Sequence, residues 1–195
     1  MKRILMVIGL GCFLSAPSLL MAQNHGEVGI FGEYMRFAPY SSTTNFVGLG
    51  GRVGLNVRPS LALEAEMSYD FARNYTRVVS NGGTTTFTRT KVRPLTGLFG
   101  PKLQIGTGAL RAFLTGKVGF IDFSNSQTTV ASPGTFTGAV EGVGGSGTHF
   151  AAYPGGGIEA YAGPIGIRAE IGDDIYLNNG TYNNMKVTFG PSLRF

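Results

Sequence analysis

The sequence predicts an all-β fold, an eight-stranded antiparallel up-and-down barrel that spans a membrane. Three observations lead to this prediction: long runs in which apolar and polar residues alternate, connections of alternately short and long length, and 31 glycines scattered among 195 residues. Alternation with a period of two indicates a strand with one apolar face. Scattered glycines suit a sheet whose strands bend and pack closely.

The clearest alternation covers residues 47–71, where two arms flank a tight turn. One face of both arms is apolar and the other is polar, which predicts a β-hairpin. Each arm has roughly the 9 to 11 residues that cross a bilayer as a tilted strand. If Val57 pairs with Leu61, the register sets Arg52 opposite Glu66 and predicts an ion pair on the polar face.

Six further strands complete the barrel with the two arms of this hairpin. In chain order, the predicted strands are residues 27–37, 47–57, 61–71, 87–105, 110–123, 149–161, 165–172 and 185–195. The short connections are 58–60, 106–109 and 162–164, and the long ones are 38–45, 73–86, 124–147 and 173–184. Eight is an even number, and short periplasmic turns opposite longer extracellular loops are typical of transmembrane barrels.

Four prolines fall within the predicted strands: Pro94, Pro101, Pro154 and Pro191. A closed barrel has no edge strand, and proline cannot donate a ladder hydrogen bond. We therefore place these prolines near strand ends or at bulges.

The amino terminus predicts a secretory signal peptide at residues 1–22. Lys2 and Arg3 precede an apolar run that ends near Ala22, a plausible cleavage position. The run is short for a membrane helix and contains Pro17. Cleavage leaves one domain, residues 23–195, with 16 − 2 = 14 basic and 11 acidic residues. This mild balance, without a run of Lys and Arg, excludes a nucleic-acid partner.

The polar face of the predicted strands combines glycines with charges of both signs. The interior of an eight-stranded barrel is just wide enough to be filled by side chains, so opposite charges can neutralise one another there. We predict a lumen charge network of Arg52, Glu64, Glu66, Lys102, Glu159, Arg168, Glu170, Lys186 and Arg194. The apolar face then meets lipid; the alternative is a soluble barrel of the lipocalin kind, with its apolar face inside.

The 47–71 hairpin and the last strand, 185–195, resemble the OmpA-like and OmpX-like eight-stranded outer-membrane proteins over residues 24–195. The resemblance implies a monomeric barrel in the cell outer membrane, without a periplasmic domain, in contact with lipid and lipopolysaccharide. It also implies that Phe195, preceded by Leu193 and Phe189, is recognised by the outer-membrane assembly machinery. The chain has no tryptophan, so the predicted aromatic girdles use Tyr34, Tyr69, Phe71, Tyr153, Phe189 and Phe195.

We find no catalytic, metal or cofactor site in the sequence. Lipid-modifying barrels need a serine and a carboxylate near a histidine, but the residue two beyond His149 is Ala151. Asp70, Asp173 and Asp174 near the outer rim indicate solvated carboxylates rather than a metal site.

Three hypotheses about function follow. The first is a non-enzymatic structural or surface-interaction barrel with a plugged lumen, whose loops, chiefly 124–147, meet lipopolysaccharide, host molecules or other cells. The second is a narrow passive pore for small polar solutes. The third and weakest is a lipid-modifying enzyme.

Overall fold

The computed structural model describes residues 25–37, 44–81, 84–106, 108–130, 147–178 and 180–195. The predicted signal peptide, 1–22, lies outside the described residues, as do most of the 38–45 and 124–147 connections. The strands are β1 (Gly26–Phe37), β2 (Thr44–Arg58), β3 (Leu61–Asp70), β4 (Arg73–Asn81), β5 (Thr84–Ile105), β6 (Leu110–Val130), β7 (Gly147–Ala162), β8 (Ile165–Leu177) and β9 (Thr181–Arg194). Within these ranges, no helix is long and apolar enough to cross a membrane.

The nine segments form a closed barrel of eight strands, because β3 and β4 are two halves of one strand. Both pair with β5, and the pairing passes from Tyr69 opposite Leu95 to Arg73 opposite Val92. The β3–β4 side therefore carries one extra residue, which is a β-bulge. Every other strand pairs with its chain neighbours, and β9 pairs with β1. The predicted antiparallel up-and-down barrel is confirmed.

The hairpin of β2 and β3 has the predicted register over most of its length. Arg52 lies opposite Glu66. At the turn, however, Leu61 pairs with Arg58 rather than with Val57, and an irregularity at Asn56 absorbs the difference. The prediction at the turn is wrong because a tight turn and a bulge together can shift pairing without changing which face is apolar.

The strands are longer than predicted at the end away from the tight turns. Most of the connection predicted at 73–86 is a strand pair, because β4 continues β3 and pairs with the first residues of β5. In the same way β6 runs to Val130, β8 to Leu177, and β9 begins at Thr181. These extensions are rich in Thr, Tyr and Val, which favour strands, but they lack the apolar alternation on which the prediction depended.

All four prolines lie inside strands. The predicted placement at a bulge is confirmed for Pro94, which lies opposite the bulge between β3 and β4. Pro101 and Pro191 lie four and three residues before the ends of their strands, whereas Pro154 lies in the middle of β7, where the prediction is wrong. Pro94 pairs with Phe123. Each of the other three lies where pairing with one neighbour is interrupted, whereas pairing with the other neighbour continues. These ladder gaps run from Phe99 to Lys102 on the β5–β6 seam, from Ala152 to Gly155 on the β7–β8 seam, and from Phe189 to Ser192 on the β9–β1 seam. Register is unchanged across each gap, because the missing proline donor is tolerated locally.

The two surfaces of the barrel differ in chemistry. We call the end with the turns at 58–60, 106–109 and 163–164 the turn end, and the opposite end the open end. Between the ends, the described outward residues are apolar or small, and large ones such as Ile30 and Phe189 are more than 60% exposed. The outward charges of the strands begin only near the open end, with Arg36, Lys91, Arg93, Asp122 and Asp173.

The predicted girdle aromatics divide between the two surfaces. Tyr34, Tyr69, Phe71 and Phe189 are exposed on the outside, and Phe195 is partly exposed. Tyr153 is fully buried inside the barrel, so its prediction as a girdle residue is wrong. Its strand contains three successive glycines at 155–157, and this weakens the alternation that would have shown which face Tyr153 occupies.

Candidate functional site in the barrel lumen

The lumen holds all nine charged residues predicted to line it. Each is at most 6% exposed. Five further charged side chains point inward and are absent from the sequence-based prediction of the network: Glu27, Glu33, Asp70, Lys117 and Asp174. A signal exists for several of them, because Glu27 and Glu33 alternate with Val28 and Tyr34, and Asp70 lies between two outward aromatic residues of the predicted hairpin.

Arg168 occupies the centre of this lumen network. Its guanidinium donates two hydrogen bonds to the carboxylate of Glu64, at 2.6 and 2.9 Å. It also lies 2.6 Å from Glu170 and 3.1 Å from Glu159. A planar guanidinium can satisfy several carboxylates at once, because its donors form a fixed fork.

Two lysines extend the network on either side of Arg168. The Nζ atom of Lys102 lies 2.7 Å from both Glu64 and Glu159. The Nζ atom of Lys117 lies 2.6 Å from Glu66 and 3.1 Å from Glu170. Each ammonium group therefore joins carboxylates from different strands.

Three cations complete the network. Arg194 lies 3.5 Å from Glu27 near the turn end, where the hydroxyl of Tyr161 also donates to Glu27 at 3.0 Å. Arg52 donates to Glu170 at 3.0 Å and to the hydroxyl of Thr188 at 3.1 Å. Toward the open end, Lys186 lies 3.1 Å from Glu33 and 3.6 Å from Glu66.

The predicted ion pair between Arg52 and Glu66 is wrong in its partner, although the two residues are opposite in register. Arg52 reaches Glu170 on β8 instead, and Glu66 reaches Lys117 on β6. In a narrow lumen, long side chains extend across the interior, where they meet strands that are distant in the chain. A register argument considers only neighbours along the wall and therefore cannot find these partners.

The network is balanced in charge. Six cations, Arg52, Lys102, Lys117, Arg168, Lys186 and Arg194, meet six glutamates, Glu27, Glu33, Glu64, Glu66, Glu159 and Glu170. Burial of an ion is costly unless it is paired and hydrogen-bonded. The balance explains how twelve ionised side chains can be almost fully buried inside the barrel.

Above this network, toward the open end, one side of the lumen is filled by apolar and aromatic side chains. This apolar cluster consists of Met35, Phe46, Val92, Leu98, Ile121, Phe123, Ala151, Tyr153 and Tyr176, with Tyr182 packed against it. The rings of Tyr176 and Tyr182 stack at 5.1 Å between centroids. The cluster belongs mainly to β5–β9 and therefore lies on that side of the lumen at the open end.

Tyr153 connects the lumen network to the apolar cluster. The Nζ atoms of Lys117 and Lys186 both lie 5.4 Å from the centre of its ring, within the range of a cation–π interaction. The ring fits because Gly172 has no side chain: a Cβ there would lie 2.5 Å from the ring. Tyr153 thus contacts two ammonium groups that share Glu66 as an ion-pair partner.

The acidic residues considered as a metal site lie on different surfaces. Asp70 and Asp174 are buried in the lumen, whereas Asp173 alternates to the outside. Among the described residues, no three His, Cys, Asp or Glu side chains are grouped so as to hold a metal ion. The two histidines are at opposite ends: His25 is at the turn end, and His149 packs about 6 Å from the rings of Phe123 and Tyr176 at the open end.

The chain has the fold of the small eight-stranded outer-membrane β-barrels. This fold combines a closed barrel with an apolar outer wall, and here the lumen is lined by ionised side chains. The structure of neisserial surface protein A (NspA) covers 87% of this chain and 97% of its own, with a TM-score of 0.57 and 9% identity. Ail, the attachment invasion locus protein of Yersinia pestis, gives a TM-score of 0.49 and 13% identity, over 89% of this chain and 98% of its own.

Outer membrane protein W of E. coli gives a TM-score of 0.45 and 12% identity, over 90% of this chain and all of its own. No family model matches the chain, and no curated protein matches it in sequence. The likeness to NspA, at 9% identity, extends to the fold alone.

Proposed function

We propose that this protein is an integral outer-membrane barrel with a structural or surface-interaction role and a lumen closed by its own side chains. The distribution of side chains carries this proposal: ionised groups inside, apolar groups outside. A soluble barrel would bury its apolar face and expose its charges to water. Here large apolar side chains such as Ile30 and Leu55 are more than 65% exposed, and lipid is the solvent that suits them.

In this orientation the turn end faces the periplasm and the open end faces outward. The signal peptide at residues 1–22 directs export, and the outward row that ends in Phe189, Leu193 and Phe195 is the assembly signal. The backbone supports a closing role for the last residue, because the amide of Phe195 donates to the carbonyl of Gly26 at 2.9 Å. The barrel functions as a monomer, since its strands leave no edge within the apolar wall to pair with a second copy.

The lumen network supports a plug rather than a channel. Its cations reach across the interior, as Lys102 does from β5 to Glu27 on β1 and to Glu159 on β7. Above these groups the apolar cluster occupies much of the remaining cross-section at the open end. With the lumen closed, contacts with partners are made by the open end and its connections. These connections include residues 124–147, and they meet lipopolysaccharide, host molecules or other cells.

One observation favours the alternative, a narrow passive pore. The lumen is lined by charged and hydroxyl groups from end to end, including Thr188 and Ser192, and small rearrangements of such groups could admit polar solutes. Planar-bilayer recording of the purified protein separates the two functions. We expect no stepwise conductance from the plugged barrel, and reproducible channels would establish the pore.

Location has its own test. We expect the protein in the outer-membrane fraction of cells, with a folded form that migrates faster than the boiled form on a gel. Recovery of folded protein from the soluble periplasm would contradict the membrane assignment. The lipid-modifying alternative finds no support in the described residues, where the ring contacts of His149 are with Phe123 and Tyr176 rather than with a serine.

A further inference from the structure

Residues 73–93 form the most one-sidedly charged segment of the chain. They contain five basic residues and no acidic one: Arg73, Arg77, Arg89, Lys91 and Arg93. Lys91 and Arg93 lie on the outside of β5, and we call these two the basic pair. Below them the outward row of β5 continues with Leu95 and Phe99, so the basic pair lies directly above the apolar wall.

Arg93 is held in place by an aromatic neighbour. Its guanidinium lies 5.2 Å from the centre of the Tyr69 ring, and Tyr69 is itself 42% exposed beside the apolar wall. This contact leaves the edge of the guanidinium free to donate hydrogen bonds. Lys91 is exposed two residues further toward the open end, about 7 Å along the strand.

No acidic side chain of the described residues lies within ion-pair distance of either member of the basic pair. The outward acid on the neighbouring strand is Asp122, two residues from Ser124, the register partner of Arg93. Its carboxylate accepts a hydrogen bond of 2.7 Å from the hydroxyl of Thr148. The basic pair therefore places two positive charges near one outward acid, with which neither member forms an ion pair.

We propose that Lys91 and Arg93 bind a phosphate group of an outer-leaflet lipid, with Tyr69 beside it. This inference rests on the proposed membrane function, which puts Tyr69 and Phe71 at the depth of the headgroups, where aromatic girdles lie. Arginine pairs with phosphate through two parallel hydrogen bonds, and lysine adds a point charge. In this leaflet the phosphate belongs to the lipid anchor of lipopolysaccharide.

On the opposite side of the barrel, the outward charges near the open end are of both signs. There Arg36 and Asp173 lie on either side of Met185, which pairs with both in register. One positive and one negative group therefore line a groove of about 410 Å³ together with Asn183. Arg36 is a matched control: it is an outward arginine at the open end that faces one acid and has no lysine two residues along its strand.

The test uses the mature protein inserted in phosphatidylcholine vesicles that contain either native or dephosphorylated lipopolysaccharide. Retained lipopolysaccharide is counted by native mass spectrometry after detergent extraction. We expect wild type to retain the phosphorylated form at least about tenfold better, because hydrogen bonds to charged groups are the strong ones. The double substitution Lys91→Gln and Arg93→Gln should remove this preference, and Arg36→Gln should preserve it.

Equal retention of both lipopolysaccharide forms by wild type would overturn the phosphate site, as would an equal loss in the Arg36→Gln variant. Binding of heparin in detergent, without any preference for phosphorylated lipopolysaccharide, would also overturn it and assign the basic pair to a soluble polyanion. A heat shift on a gel shows that each variant has folded. Failure of wild type to enter the vesicles would instead contradict the membrane function, so the two failures are distinguishable.

Discussion

Arg168 on β8 and Glu64 on β3 join opposite walls of the barrel through hydrogen bonds of 2.6 and 2.9 Å. Three strands lie between β3 and β8 in either direction around the barrel. The pair therefore acts as a strut across the full width of the lumen, and both groups are at most 3% exposed.

Loss of this strut should be costly. We expect Arg168→Met to lower the free energy of unfolding by about 3–5 kcal/mol, since it leaves buried carboxylates without their counter-charge. Urea titration in vesicles, followed by the heat shift on a gel, measures the effect. Adding Glu64→Gln to the same chain should recover part of the loss. If Arg168→Met alone lowers the free energy of unfolding by less than about 1 kcal/mol, water reaches the strut.

Tyr153 should stabilise the barrel through its ring. We expect Tyr153→Leu to lower the free energy of unfolding by about 2–4 kcal/mol, because it removes the aromatic ring that Lys117 and Lys186 contact and leaves a cavity. Tyr153→Phe is the matched control and should stay within about 1 kcal/mol of wild type, because it keeps the ring. Equal losses in the two variants would assign the stability to the hydroxyl group instead.

Gly190 should be essential for closing the barrel. A Cβ at this position would overlap the carbonyl oxygen of Ile30 and lie 2.6 Å from the Cα atom of Phe31. We expect Gly190→Ala to reduce the folded fraction strongly in a refolding assay. Gly116→Ala makes the same chemical change where nothing lies within 4 Å, and it should refold like wild type. Normal refolding of both variants would mean that β1 and β9 can separate at no cost.

Salt should have little effect on the lumen network. Buried ion pairs are screened much less than exposed ones, so raising NaCl from roughly 0.1 to 1 M should change the unfolding free energy of wild type by less than about 0.5 kcal/mol. Urea titrations at the two concentrations check this. A clear loss of stability that disappears in the Arg168→Met variant would indicate a lumen open to ions and would favour the pore.

The strands that cross the apolar wall are the part of the fold most readable from sequence. In the hairpin of β2 and β3, alternation specifies both faces, so it also gives Arg52 opposite Glu66. The strand extensions beyond the apolar wall have no apolar face, so their sequence does not alternate. For this reason the sequence predicts a loop where the structure has β4. Tyr153 shows the same limit inside the wall, where the glycines at 155–157 remove the contrast between faces.

For the lumen residues, the sequence predicts the direction of the side chain but not its partner. Alternation can show that a charge points inward, as it does for Glu64 and Arg168. It cannot show which opposite charge that residue meets, because the partner depends on barrel width and strand tilt. Lys117 illustrates the consequence: its three glutamate partners lie on β3 and β8, neither of which is adjacent to its own strand.

The ladder gaps beside Pro101, Pro154 and Pro191 lie on alternate seams of the wall: β5–β6, β7–β8 and β9–β1. The seams between them keep continuous hydrogen bonding through the same region. The gapped seams are therefore confined to one side of the barrel, because β1–β2, β2–β3 and β3–β5 have no such gap. A cylinder whose wall is more compliant on one side can flatten toward an ellipse without losing strand order. We expect the barrel to follow changes in bilayer tension by this route, with its ionic struts setting how far the cross-section can deform.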